Sequence, residues 1–250
     1  MGNTEISYSR VHEDEGKEGQ TPIYRGKHVK PGEGLTDSLF GSIQDLKTMF
    51  NSSFENFPGN PYLGTREKHT ESYVDEETKE TKTRVTYGKY MYMTYGQAQE
   101  YSTGLAKSII HKNLCPKKEM DGRNLRILGI YSKNREEWAM TDIACILSNI
   151  STVAIYETLG DKSIEYVINQ TEMETIALGE DKLMHICKLK SEEKLPTIKN
   201  VILFDDVTEE HVNMCKAVGF EIYNIVKLAE GGETIEVELE DPKADDIFTI

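Results

Sequence analysis

Residues 125–156 read LRILGIYSKNREEWAMTDIACILSNISTVAIY. Leu125 to Tyr131 is a short apolar run of strand type, and Ser151 to Tyr156 is a second. Between them Met140, Ile143, Ala144 and Leu147 recur at the i, i+3, i+4, i+7 spacing of one helical face. Asn134 followed by Glu137 has the form of a capping box, which predicts the helix start. Strand, helix and strand in about thirty residues make a βαβ unit, whose strands must be parallel and whose crossover is right-handed.

The same rhythm continues downstream. Asp161 opens a helix lined by Ile164, Val167, Ile168 and Thr171, and short strands are predicted at 175–178, 199–204 and 220–223. Asp181 starts one intervening helix and Thr208 caps another, through about Ala217. The expected fold is therefore α/β, a doubly wound, mostly parallel sheet flanked by helices. Gly231-Gly232 opens an acidic linker, and Ile247 to Ile250 reads as the start of one more strand. A chain ending inside a strand is expected to be part of something longer.

Upstream the pattern is weaker. Residues 1–34 are polar and rich in Gly and Glu, an extended arm. Leu39, Ile43, Leu46 and Phe50 predict a helix opening at Thr36 or Asp37 and ended by Pro58-Gly59-Asn60-Pro61. His69 to Lys82 reads as a charged surface loop, and 83–95 as a β-hairpin turning at Gly88-Lys89. Thr94 and Gln97 form a second capping box, for a helix burying Ala98, Tyr101, Leu105 and Ile109. The expected division is an arm over 1–34, a helix and loop over 35–80, and the α/β domain over 81–250.

Composition excludes several classes. A formal net charge of −14 repels phosphate backbones and anionic headgroups, and no basic stripe with interleaved aromatics is legible, so no nucleic-acid partner is expected. No apolar run reaches the length of a membrane span. Cys115, Cys145, Cys187 and Cys215 are widely spaced, as reduced intracellular thiols are. Met1 to Ser7 approaches an N-myristoylation signal, but Ile6 stands where Ser or Thr is wanted.

Catalytic patterns are missing: there is no Gly-rich phosphate loop, zinc helix or nucleophile elbow, and the histidines lack metal-ligand spacing. No catalytic and no metal-binding residue is expected. Asp205-Asp206 and Asp245-Asp246 read as solvated turns or caps rather than Mg²⁺ ligands. Ligands of wound sheets bind at the carboxyl ends of strands, which directs attention to the loops after Tyr131, Tyr156, Phe204 and Ile250. In the first of these, Asn134 is expected to cap the helix, Arg135 to pair with a nearby acid and Trp138 to pack in the core, in preference to direct ligand contact.

Several segments together resemble the long-chain fatty acyl-CoA synthetases of the adenylate-forming, AMP-binding superfamily. Asn60-Pro61-Tyr62-Leu63-Gly64-Thr65-Arg66 is similar to the family's N-G-P-x-L-G-x-R, and Thr94-Tyr95 to its Thr-Tyr before a helix. Asn134 to Trp138 resembles N-R-P-E-W, Ile155 to Gly160 resembles L-Y-D-T-L-G, and Tyr166 to Asn169 fits Y-I-x-N. Glu136 replaces the usual Pro, and Glu157 the usual Asp. Asp245 to Ile250 looks like the strand leading into the family's phosphate loop.

The resemblance implies an ATP-dependent, AMP-forming long-chain fatty acid CoA ligase. It would use ATP, Mg²⁺, CoA and a long-chain fatty acid, and would be cytoplasmic or peripheral to a membrane. This chain would be its N-terminal portion, inactive alone and binding none of these cofactors by itself. Arg135, Tyr156 and Thr158 are the candidates for supporting the cleft. The rival expectation is a non-catalytic α/β scaffold or nucleotide-binding module.

Overall fold

The computed structural model describes residues 8–11, 18–30, 43 and 45–250. Two units are separable, 1–44 and 45–250. In the first, β1 (Ser9–Val11) pairs antiparallel with β2 (Tyr24–Gly26), and the Arg10 guanidinium donates to the Val29 carbonyl. Thr36, Asp37 and Leu39, and the N-terminal Met1 to Ser7, lie outside the described residues.

The second unit begins with α1 (Leu46–Asn56), capped by Asp45, whose carboxylate accepts from the Thr48 amide at 2.7 Å. Ile43, expected inside this helix, lies before it. Next come β3 (Pro61–Val74), β4 (Thr81–Thr94) and α2 (Tyr95–His111). A small pair, β5 (Lys118–Met120) and β6 (Arg123–Leu125), precedes β7 (Ile127–Tyr131), α3 (Glu136–Leu147) and β8 (Ser151–Ala154). Then follow α4 (Asp161–Thr171), β9 (Thr175–Leu178), α5 (Glu180–Ser191) and β10 (Asn200–Leu203). Last are α6 (Glu209–Ala217), β11 (Glu221–Asn224) and α7 (Ile225–Gly232). Helix α7, which the sequence reading left unassigned, runs two residues into the linker expected to open at Gly231.

Five strands form one parallel sheet in the order β11-β10-β9-β7-β8. Alternating side chains feed two cores. Leu128, Ile130, Ala177 and Ile202 face a layer built from α1, α2, α3 and α7, while Ile127, Tyr131, Ile176, Leu178, Val201 and Leu203 face α4, α5 and α6. The doubly wound expectation holds. The expected last strand is present as a single parallel bridge: Thr249 pairs with Thr152 beside β8, the Thr152 amide donating to Phe248 O at 3.0 Å and the Ile250 amide to Thr152 O at 2.9 Å.

The Thr94–Gln97 capping box forms as read, with bonds of 3.2 and 2.9 Å. The hairpin is longer than the sequence suggested. β3 and β4 pair over 14 residues each, so 69–74, read as loop, is strand, and the turn lies at 75–80. Asp75 builds that turn by accepting from the amides of Glu77 and Thr78, with Lys79 at φ 56°. Gly88-Lys89, read as the turn, is a β-bulge opposite Glu67, between the pairs Arg66↔Tyr90 and Lys68↔Tyr87. Both ribbon faces are largely exposed, so no apolar-polar alternation marked the strands.

Candidate functional site: a cleft at the strand ends

The βαβ crossover places the loop after β7, the first turns of α3 and the loop after β8 at one edge of the sheet. Together with Phe248 and Thr249 they enclose a cleft of about 880 Å³. Ser132, Lys133 and Asn134 line it from the first loop, and Ile155, Tyr156, Glu157 and Thr158 from the second. Trp138 and Asp142, one helical turn apart on α3, form the wall between them. The cleft is amphiphilic: the Trp138 and Phe248 rings and Ile155 offer apolar surface, while hydroxyls and the carboxylates of Asp142 and Glu157 offer polar contacts.

Asp142 is the electrostatic feature. Burial raises its pKa above the ordinary carboxylate range, and only the neighbouring Thr152 hydroxyl pulls the other way. Among the described residues no cation lies within ion-pair distance of it. Sequence reading passed over Asp142, although a lone acid beside the apolar stretch from Ile143 to Leu147 was a signal. Glu157, by contrast, is neutralised at the rim by Lys182, which also holds Asp181 at 3.1 Å.

Of the three expected site residues, Tyr156 and Thr158 line the cleft and Arg135 does not. Arg135 is engaged on both sides. Its Nε and Nη2 donate to Glu137 at 2.6 and 3.0 Å, and its Nη1 to both oxygens of Asp205 at 2.9 and 3.0 Å. Those hydrogen bonds, to Glu137 first and Asp205 second, raise its pKa further. Asp205 also accepts from the Glu180 amide at the start of α5, at 2.8 Å, and its own carbonyl accepts from Asn224.

The ion pair thus ties together the carboxyl ends of β7, β9, β10 and β11. In the order β8-β7-β9-β10-β11 the winding reverses between β7 and β9, where open sheets usually bind ligands. Here that crevice is spanned by Arg135 and Asp205, and the open cleft lies on the other side of β7.

Two expectations about this loop change. Asn134 does not cap α3; Arg135 occupies the cap position without a side-chain cap bond, and Glu136 and Glu137 complement the helix N-terminus instead. Trp138 is only partly buried, packing against the core on one side and lining the cleft on the other. Asp205 is no solvated turn, being committed to Arg135, whereas Asp246 accepts from Asn149 and the Lys243 amide. Among the described residues no group of three His, Cys, Asp or Glu could hold a metal ion.

A family model described as AMP-binding enzyme matches residues 74–250. The chain belongs to the AMP-binding enzyme family. Relatives of this AMP-binding chain include long chain acyl-CoA synthetase 4 of Arabidopsis thaliana, 28% identical over 95% of the chain and 33% of the relative. The peroxisomal acyl-CoA ligase 891 of Penicillium roqueforti is 26% identical over 98% of the chain and 34% of its own length. The chain therefore spans about a third of the curated relatives it matches.

Among solved structures, the A domain of a carboxylic acid reductase from Segniliparus rugosus, in complex with AMP and a co-purified carboxylic acid, is similar with a TM-score of 0.62. It is 13% identical and covers 81% of this chain and 32% of that one. A long-chain-fatty-acid-CoA ligase from Archaeoglobus fulgidus gives 0.58 at 15% identity, covering 89% of this chain and 36% of that one. These likenesses place the AMP-binding chain in the adenylate-forming fold.

Proposed function

We propose that this chain supplies the N-terminal wall of the substrate cleft in an ATP-dependent, AMP-forming long-chain fatty acid CoA ligase. The observation that carries the reading is the family match over 74–250 together with an amphiphilic cleft at the ends of β7 and β8. The relatives named for acyl-CoA synthesis support the substrate class. Residues 81–250 are taken as the N-terminal part of the AMP-binding domain, preceded by the arm over 1–34 and the connecting segment over 35–80.

A carboxylate is a poor electrophile; transfer to AMP gives it a good leaving group, and the acyl group can then pass to the CoA thiol. This chain's contribution to that sequence is positioning. Trp138, Ile155 and Phe248 offer a water-excluding surface, Tyr156 and Thr158 offer hydroxyls to orient a bound group, and Arg135 holds the loop from which the wall rises. Mg²⁺ does not fit any cluster of acids described here, so no step is assigned to a metal held by this chain. No described helix is long and apolar enough to cross a membrane. The working location is taken to be the cytoplasm, at the periphery of a membrane.

The test is pyrophosphate release with palmitate, ATP, Mg²⁺ and CoA. It is run on the 250-residue chain and on the chain read together with the coding sequence that follows Ile250. The longer form is expected to turn over and the shorter form to be inactive. Turnover by the short chain, or inactivity of a well-folded longer form, would contradict the reading.

A further inference from the structure

The β3–β4 ribbon has two chemically different faces. Its register places Gly64, Arg66, Lys68, Thr70 and Val74 on one face with Tyr92, Tyr90, Tyr87 and Val85 opposite them. The Tyr92 ring lies over Gly64, where an added Cβ would meet it at 2.6 Å. Tyr90 and Tyr92 stack at 5.9 Å, and the Arg66 guanidinium sits 5.4 Å from the Tyr87 ring and 5.8 Å from that of Tyr90. Arg66 is also fixed by donating to the carbonyls of Tyr87 and Gly88.

This face carries no carboxylate. Glu67 and Glu71 lie on the opposite face, and Asp75, Glu76, Glu77 and Glu80 collect in the connecting turn. The three tyrosines are 56–57% exposed. A basic stripe with interleaved aromatics, illegible in the linear sequence, is therefore assembled by strand pairing on a chain of net charge −14.

We infer that this face docks onto an anionic lipid surface. Charge complementarity favours the partner: among the described residues no acid pairs with Arg66 or Lys68, and both lie on an exposed face of a chain that is otherwise acidic, which opposes a second copy of itself. Tyrosine suits the headgroup layer, where its ring rests among apolar atoms and its hydroxyl stays wet. The rings already stack on Arg66 and on each other, leaving edges and hydroxyls in place of the free faces that stacked bases need. The acidic turn keeps the tip away from the surface, so the ribbon lies along it. The choice of lipid rests on the fatty-acid reading above, and the docking itself does not require catalysis.

Flotation of the 250-residue chain with phosphatidylcholine vesicles, with and without about one-third phosphatidylserine, tests this without ATP, CoA or fatty acid. An inactive ligase would leave the result standing, and absent docking would leave the ligase reading standing. The chain is expected to float with anionic vesicles only, and to be released at about 1 M salt, where the Debye length is about 3 Å. Lys68→Glu, at a side chain with no hydrogen bond or ion pair among the described residues, should weaken binding at least fivefold, and Y87S/Y90S should do the same with the thermal unfolding midpoint of the chain unchanged. Arg84→Glu on the opposite face should have a smaller effect than Lys68→Glu. The inference is overturned by no flotation, by equal losses from Lys68→Glu and Arg84→Glu, by tighter binding of a single-stranded oligonucleotide, or by a dimer in sedimentation that Lys68→Glu dissociates.

Discussion

At Asp142 the fold holds a carboxylate beside Trp138 and Thr152, with no cation among the described residues to offset its burial. Because the folded-state pKa lies above the unfolded value, the native state retains the proton longer than the unfolded chain does. Stability contributed by this group is then greatest below the unfolded pKa and declines as pH rises through the folded one. Asp142→Asn, which keeps the shape and removes the ionisation, should raise the thermal midpoint at pH 7 and leave it unchanged near pH 3. A midpoint that fell at pH 7 would mean that Asp142 has a partner stabilising its charged form. Arg135 makes the opposite case: its two carboxylates satisfy it, and its part in the cleft is to hold the loop after β7.

At the scale of elements, helices α2 and α7 approach closely, through glycine. An added Cβ at Gly104 would stand 2.1 Å from the Ala229 carbonyl oxygen, and Ser108 Oγ donates to Leu228 O at 2.6 Å across the same contact. Gly104→Val must push the two helices apart, and overpacking of this kind should cost roughly 3 kcal/mol or more. A urea midpoint within error of the parent would show that the helices separate freely. The sequence disclosed α2 through Thr94, Gln97 and the apolar spacing of Leu105 and Ile109, because capping and helical period are local. It did not disclose α7, whose apolar run Ile225 to Ala229 is short and ends in two glycines that look like a linker. The ribbon was half legible for a related reason: strand pairing is non-local, and with both faces wet no alternation separated strand from loop.

For the whole molecule, the βα alternation from Leu125 to Tyr223 sufficed to name the parallel sheet, since each strand's apolar run and each helix cap stands in the local sequence. The cleft was legible only as a set of loops. That Tyr156 and Thr158 line it while Arg135 turns away to Asp205 depends on residues 70 apart in sequence, which no local pattern reports. The four-residue spacing puts Trp138 and Asp142 on one face of α3, but that this face is a cleft wall depends on Thr152 and Phe248 across from it, which no local pattern reports.

The claim that this cleft serves the ligase reaction is tested most directly by kinetics of the longer form bearing Tyr156→Ala with Thr158→Val. Tyr166→Ala, an exposed tyrosine on α4 away from the cleft, is the control. Loss of wall contacts worth about 1.4 kcal/mol lowers kcat/KM for palmitate about tenfold, mainly through KM, with the thermal midpoint unchanged. The account predicts that loss in the cleft variant and parent-like kinetics in the control. Kinetics of the cleft variant indistinguishable from those of Tyr166→Ala would contradict it.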